Sequence, residues 1–328
     1  MPKVAVSEIE AVAKAALQAY GAEDPAAQAV AHATAHAEAH GNIICGLYYL
    51  ESYCIQLASG RVSGTVDPVV THPRAGAVSV DAGGGFAQPA FAKGLDTAIA
   101  AAKANGIAML AVHNAHTCTS LGYFTEQIAQ AGLIGIGHTN ASPIVAPPGG
   151  NKPVIGTNPM ALSVPDGAGG MALHFDCSTS AVALGKITMA KEAGEEIPLG
   201  WAVDSSGAPT TDPVAALGGA LQSMGGYKGW GIGLMVELLA AGMTGGVNSL
   251  DVKGIKLADG PPHRLGQFYI LMDTTTYGDH FIDRLNRIEE AVAAQDGGRI
   301  PGANRSAMTE IDVPDALWAK CKGLGTQA

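Results

Sequence analysis

Apolar positions along the chain follow two periods, and the switches between them mark its elements. From residue 6 to residue 40 they recur three and four apart, which predicts helix. Ser7 with Glu10 reads as a capping-box start, and Asp24-Pro25 opens a second helix that ends near His40-Gly41. Residues 46–60 predict a third helix, closed by Gly60. Residues 66–80 read as strand. The turn DAGGGFAQPA leads into a helix over 90–105 that Gly106 ends; IAMLAVHN is then a buried strand, followed by a helix over 121–131. Further on, helices are predicted over 181–193, 279–294 and from about Pro314, with a late strand in GQFYILMDTT. The segment IPLGWAVDSSGAPTTDPVAAL is loop with strand character. Residues 231–243 are nearly all apolar but too short to cross a bilayer, so they form a buried or interface helix.

The stretch from Gly135 to Ser180 breaks both periods. Three short apolar runs (133–136, 153–155 and 160–164) read as strands bounded by turn residues. Between them Gly149, Gly150 and Gly156 leave the backbone bare and open to positive φ. Thr157 and Asn158 place short polar groups beside Pro159. Such a loop suits an anionic or amide-bearing ligand, and equally a structural turn.

Helices alternate with strands, which implies an α/β fold with a helix-covered sheet. The expected organisation is an N-terminal helical segment (1–64), an α/β domain (65–310) and a C-terminal helix (311–328). At 328 residues, 47% hydrophobic and 15% charged, the chain can bury a large core. The net charge of −10, without a basic cluster, argues against nucleic acid. No leader-like segment opens the chain, and no apolar run is long enough for a membrane span. Five cysteines without a CxxC pair read as reduced thiols of a cytoplasmic protein.

Candidate chemistry is scattered. His32, His36 and His40 lie four apart on one helix face, a spacing that can hold a metal. No carboxylate or cysteine converges on them by sequence, so the reading is a polar stripe and no metal. Lys228 in GGYKG sits at a helix start among Gly225, Gly226 and Gly229, an anion cradle or a surface turn. Asp176 is placed at a strand end, either capping the next helix through its Ser178 and Ser180 neighbours or orienting a reacting group. His116 follows the central strand, where α/β folds concentrate function, although a lone histidine there is more often structural. GxGxxG, GxxxxGK[ST] and GxSxG are all missing, which argues against ordinary Rossmann, P-loop and α/β-hydrolase enzymes.

Several pieces, in order and spacing, resemble the non-Rossmann malate/L-lactate dehydrogenase family. They are GIAMLAVHN, PIVAPPGG, GTNP, FDCSTSAVALGKI, IPLGWAVDSSGAPTTDP, GGYKG with MVELLAAGMTGG, GQFYILMD and RIPGANR. That family includes ureidoglycolate and sulfolactate dehydrogenases and the piperideine- and pyrroline-2-carboxylate reductases. The resemblance implies a mixed, non-Rossmann sheet, a homodimer, and hydride transfer between NAD or NADP and C2 of a small 2-hydroxy, 2-oxo or cyclic 2-imino carboxylate. By the same resemblance, Thr157, Asn158, Pro159, Asp176, Cys177, Ser178 and Lys228 hold the cofactor, with Thr139, Asn140 and Arg305 as further contacts.

The chain departs from the family at its catalytic positions. The family carries Ser-His-Gly near the N-terminus with an Arg three residues on. Here Ile44-Cys45-Gly46 and Tyr49 stand there. The family's second histidine is Thr117, next to His116, and the glycine two residues later is Thr119. Cys45 and Tyr49 therefore fall on the substrate side, and His116, Thr117, Asp176 and Cys45 are the candidates for proton handling. Two readings stay open: an active oxidoreductase in which His116 replaces the missing donor or the substrate is an imine, and a dinucleotide-binding homologue with lost or altered catalysis.

Overall fold

A computed structural model describes residues 1–303 and 305–326. Strand β1 (Lys3–Ala5) leads into helices α1 (Val6–Ala19), α2 (Asp24–Ala39) and, after a 3-10 turn at Ile43–Cys45, α3 (Leu47–Ala58). There follow β2 (Val69–Arg74), β3 (Ala77–Asp81), α4 (Ala87–Asn105), β4 (Ile107–Ala115), α5 (Gly122–Gln130), β5 (Leu133–Thr139), β6 (Met160–Pro165), β7 (Met171–Cys177) and α6 (Leu184–Ala193). A small subdomain holds β8 (Ala202–Val203), β9 (Pro209–Thr210), α7 (Pro213–Leu217) and β10 (Ala220–Leu221). Helix α8 (Tyr227–Glu237) runs on as a π-helical turn at Leu238–Met243. The chain ends with β11 (Leu265–Asp273), α9 (Phe281–Ala293), β12 (Glu310–Asp312) and α10 (Asp315–Leu324).

The main sheet is seven-stranded and mixed, in the order β2-β3-β4-β11-β5-β6-β7. Only β3 and β4 pair in parallel; every other pair in it is antiparallel. The parallel pair needs a crossover, and α4 supplies it. Late in the chain, β11 enters the centre of the sheet. Its Tyr269 and Leu271 pack with Phe91 of α4 and Phe124 of α5 on one face. On the other face Gly266 lets the π-helical turn approach, since a Cβ there would lie 1.7 Å from the Ala240 carbonyl. Both faces are covered, as the apolar runs require.

Three departures from the sequence reading have local causes. The capping box at Ser7 is not formed, and Ala5 is the N-cap without a side-chain bond. Strand β1 pairs with β12, and the Val6 N–H donates to the Thr309 carbonyl (3.0 Å), so the helix begins before Ser7 can cap it. Residues 153–155 do not join the main sheet; Ile155 makes an isolated antiparallel bridge to Val145. Of Gly149, Gly150 and Gly156, only Gly149 takes a positive φ (78°). Gly156 serves close approach instead, because a Cβ would sit 2.8 Å from the Ala141 carbonyl oxygen.

The chain ends meet. Trp318, Cys321 and Leu324 of α10 share one apolar core with α1, α2 and α3. The last helix and the N-terminal segment therefore form one helical layer against the α/β body. Asn304 of the PGANR loop, and Gln327 and Ala328 of the C-terminal segment, lie outside the described residues. No helix among the described residues is long and apolar enough to cross a membrane.

Candidate active site

Where the helical layer meets the sheet, a cavity of about 650 Å³ opens. Helix α2 contributes His36 and His40, and the turn after it Asn42, Ile44 and Cys45. The β4–α5 connection adds Thr119 and Ser120. The loop before β6 adds Thr157 and Pro159, the end of β7 adds His174 to Ser178, and Arg305 closes one side. A second cleft of about 540 Å³ lies by the start of α8, walled by backbone-rich Pro147–Gly150, Gly225 and Gly226. Ser223 faces it, is 8% exposed, and its hydroxyl has no hydrogen-bond partner. The segment 178–183 borders both spaces, with Ser178 and Ala183 on the cavity and Ala181 on the cleft.

Asp176 ends β7 in the cavity. Its Oδ2 accepts the Gly122 N–H (2.7 Å), so it caps α5 across the sheet and not the helix that follows it in sequence. Gly122 has to be glycine, because a Cβ there would lie 2.8 Å from the His174 ring and 3.1 Å from the Asp176 Cβ. Asp176 opens onto the cavity but is ringed by protein, and this desolvation raises its carboxyl above the usual range against the pull of the Gly122 bond. Cys45 is a neutral thiol: burial, then the Asp176 charge, push it up to about 12. It is no thiolate nucleophile near neutral pH.

The α2–α5 wall carries a linked polar set. The His36 Nε2 lies 3.0 Å from the Glu126 Oε2, and Arg305 donates to the same oxygen (2.5 Å). Burial alone would raise the Glu126 carboxyl, but the bonds from His36 and Arg305 override it and hold it at about 2. His40 contacts the His36 carbonyl through Nδ1 (2.9 Å) and packs its ring 4.2 Å from that of His36. Burial lowers the His40 pKa, and burial with the Arg305 charge brings His174 to about 4. The His174 Nδ1 pairs with the Ser163 hydroxyl (2.8 Å).

Comparison with known proteins decides the family. The malate/L-lactate dehydrogenase model matches residues 4–320. The chain belongs to the malate/L-lactate dehydrogenase family. It is 38% identical to a Delta(1)-pyrroline-2-carboxylate reductase of Ancylobacter novellus, over 98% of this chain and 97% of that one. It is 36% identical to a (2R)-3-sulfolactate dehydrogenase (NADP(+)) of Chromohalobacter salexigens, over 96% and 95%. The crystal structure of the delta1-piperideine-2-carboxylate reductase of Pseudomonas syringae pv. tomato superposes with a TM-score of 0.92 at 33% identity, covering 99% of this chain and all of that one. The mixed α/β fold and membership of an oxidoreductase family, both expected from the sequence, are thereby established.

Within this family fold, the residues singled out from the sequence separate into two groups. Cys45, Thr157, Pro159, Asp176, Cys177, Ser178 and Arg305 line the cavity together. The others do not. His116 is 1% exposed, its Nε2 2.5 Å from the Gln56 Oε1 and its ring stacked on His263 at 4.1 Å. Burial, then His263, drives its pKa well down, and it does not line the cavity. Thr117 is buried beside it, its N–H donating to the His263 Nδ1 (3.3 Å). Tyr49 is buried too, with its hydroxyl 3.5 Å from the Ile255 carbonyl. Thr139 donates to the Gly266 carbonyl (3.0 Å), and Asn140 clamps the strand to Val247 and Gly266. Asn158 holds Gly233 and Glu237. Lys228 is exposed in the first turn of α8.

The sequence reading missed Glu126, His174 and Ser120. Glu126 carries no local signal, being one polar residue of a helix that reaches α2 only through the fold. The histidine stripe was visible as spacing, but it divides: His32 is exposed beside Glu10 (3.3 Å), while His36 and His40 face the cavity.

Proposed function

We propose that this chain is an NAD(P)-dependent oxidoreductase whose substrate is a small cyclic 2-imino carboxylate, bound in the cavity beside Asp176. The observation that carries the choice of substrate is the chemistry of the replaced positions. Cys45 is a neutral thiol, and Thr117 and His116 stand outside the cavity. A 2-oxo acid needs a proton donor when hydride arrives, and a positioned acid contributes roughly 10²–10⁴ in rate. A protonated imine arrives with its proton. The Asp176 carboxylate, facing the cavity, favours that cation over the neutral imine.

The residues fit a dinucleotide. The unpartnered Ser223 hydroxyl and the bare backbone of Gly225 and Gly226 suit a phosphate at the start of α8, with Lys228 nearby as a point charge. Thr157, Pro159, Cys177 and Ser178 would flank a nicotinamide, and the segment 178–183 joins the two spaces. The cofactor supplies the hydride. The protein supplies the desolvated wall, the carboxylate and the orientation. The proposal includes a homodimer, in keeping with Leu234, Met235, Leu238 and Met243, which are 41–61% exposed along α8 and its extension. It includes a cytoplasmic setting, in keeping with five free cysteines.

The test titrates the protein with NADH and NADPH by fluorescence. It then follows their oxidation with pyrroline-2-carboxylate, piperideine-2-carboxylate, pyruvate and oxaloacetate. The expected result is nucleotide binding, with the imino acids turned over at least about 100-fold faster than the oxo acids. Equal or faster turnover of the oxo acids would overturn the substrate class, and failure to bind either nucleotide would overturn the whole reading.

A further inference from the structure

We propose that His36, His40 and Glu126 form a binding site for a divalent transition-metal ion on the wall of the cavity. One ligand atom from each of the three lies within 4.8 Å of those of the others. His36 lies in the last turn of α2 and His40, four positions on, is that helix's C-cap residue. The third comes from α5, so the set is held by the end of one helix and the body of another.

The hydrogen bonds suit the role. The His40 Nδ1 donates to the His36 carbonyl, which fixes the tautomer and leaves the Nε2 lone pair available; metal-binding histidines are usually oriented this way. The Glu126 Oε1 has one long contact, to the Gln130 amide at 3.4 Å, and so keeps free lone pairs. Two imidazoles and one carboxylate select a zinc-like ion over calcium or magnesium, which take oxygen ligands. Three protein ligands leave an open position, and His36 and His40 both line the cavity.

Arg305 is the competing group. Its guanidinium holds the Glu126 Oε2, so one cation occupies the carboxylate that a metal would share. A metal ion and Arg305 therefore oppose each other at Glu126, and removing the guanidinium strengthens metal binding. The use this gives the ion, receiving the substrate carboxylate where Tyr49 replaces the family's arginine, rests on the proposed function. The binding of the ion does not.

The experiment uses the full chain, stripped with EDTA and dialysed. It is titrated with Co²⁺ alone by visible absorption and with Zn²⁺ alone by calorimetry. Wild type is expected to take up one equivalent. His36→Gln and His40→Gln should each weaken it by roughly 100-fold or more, more than loss of a supporting hydrogen bond does. Arg305→Gln should tighten it by about tenfold as the opposing charge leaves. His32→Gln, on the solvent side of the same helix, should change nothing. Thermal melts identify any variant that fails to fold, and Arg305→Gln tests the site without touching a ligand. The proposal is overturned if neither wild type nor Arg305→Gln takes up an equivalent. Uptake that persists in both histidine variants marks another site, such as the thiols, and overturns it equally. Because no substrate or nucleotide enters the assay, failure here leaves the oxidoreductase reading standing.

Discussion

Asn158 sits in the GTNP loop that the family resemblance assigns to the cofactor, yet it is 0% exposed and its side chain faces the protein. Its Nδ2 donates to the Gly233 carbonyl (3.0 Å) and to the buried Glu237 carboxylate (2.9 Å), and its φ is +36°. Asn158→Ala removes a bond to a charged acceptor, worth about 1.5–3 kcal/mol, and a neutral one worth about 1 kcal/mol. Placing alanine at positive φ costs about 1 kcal/mol more. Against this, the Asn158 Oδ1 has no partner, and losing that buried orphan returns about 1 kcal/mol. The net loss is about 3 kcal/mol, a large part of the ~5–15 kcal/mol that holds a domain folded. With a urea m-value of about 3 kcal/mol/M, the unfolding midpoint should fall by about 1 M. Glu237 keeps the N–H and hydroxyl of Ser249, so the variant should still fold. Urea unfolding followed by tryptophan fluorescence, paired with NADPH titration of the folded protein, measures both consequences. A midpoint unmoved beside a tenfold loss of nucleotide affinity would refute the argument and return Asn158 to the cofactor.

Two further predictions follow from the same geometry. Gly122→Ala drives a methyl into the His174 ring and toward Asp176, with contacts of 2.8 and 3.1 Å. It should cost about 1–3 kcal/mol by overpacking and lower kcat by displacing Asp176; unchanged melting and unchanged kcat would show the contact to be soft. Stability should also fall in acid through His263, whose pKa burial, with Arg61, brings to about 3. A depressed folded pKa means that the unfolded chain binds the proton first. The contribution is therefore complete above pH 6.5 and is lost as pH falls from there toward about 3, at up to ~1.4 kcal/mol per pH unit. Urea midpoints at pH 7.5, 6 and 5 should descend, with the steepest loss below 6.5, and His263→Gln should flatten the trend. A midpoint constant over that range would contradict a neutral, buried His263.

Much of the architecture was legible because local patterns and tertiary demands agree. The apolar runs of IAMLAVHN and GQFYILMD became β4 and β11, and Gly106 ends α4 at φ +78° as a terminating glycine should. What failed was set by distant partners. Ser7 lost its capping role to a strand pairing with residues 310–312. Asp176 found its backbone donor at Gly122, 54 positions away, and not among its serine neighbours. The buried set of Gln56, Arg61, His116 and His263, which binds α3 and β4 to the loop at 253–263, has no periodic signature at all. Gln56 and Arg61 spend their donors on the carbonyls of Gly254, Ile255, Leu257 and Pro261.

That buried set also accounts for where His116, which the sequence left open between a structural and a functional role, sits in the fold. A histidine at the exit of a central strand is in the position where α/β sites gather, and only the packing of the 253–263 loop over it turns it inward. The three positions at which the sequence departs from the resemblance share one consequence. Cys45, Tyr49 and Thr117 offer no group that ionises near neutral pH, since burial first of all lifts both the Cys45 thiol and the Tyr49 phenol. The ionisable groups of the cavity instead come from the end of α2, β7 and the loop that carries Arg305. A substrate held there meets the Asp176 carboxyl, Arg305, and the His40 and His174 imidazoles, whose pKa values burial lowers. This favours a ligand that already carries its proton, and it is the physical reason to expect imines ahead of oxo acids.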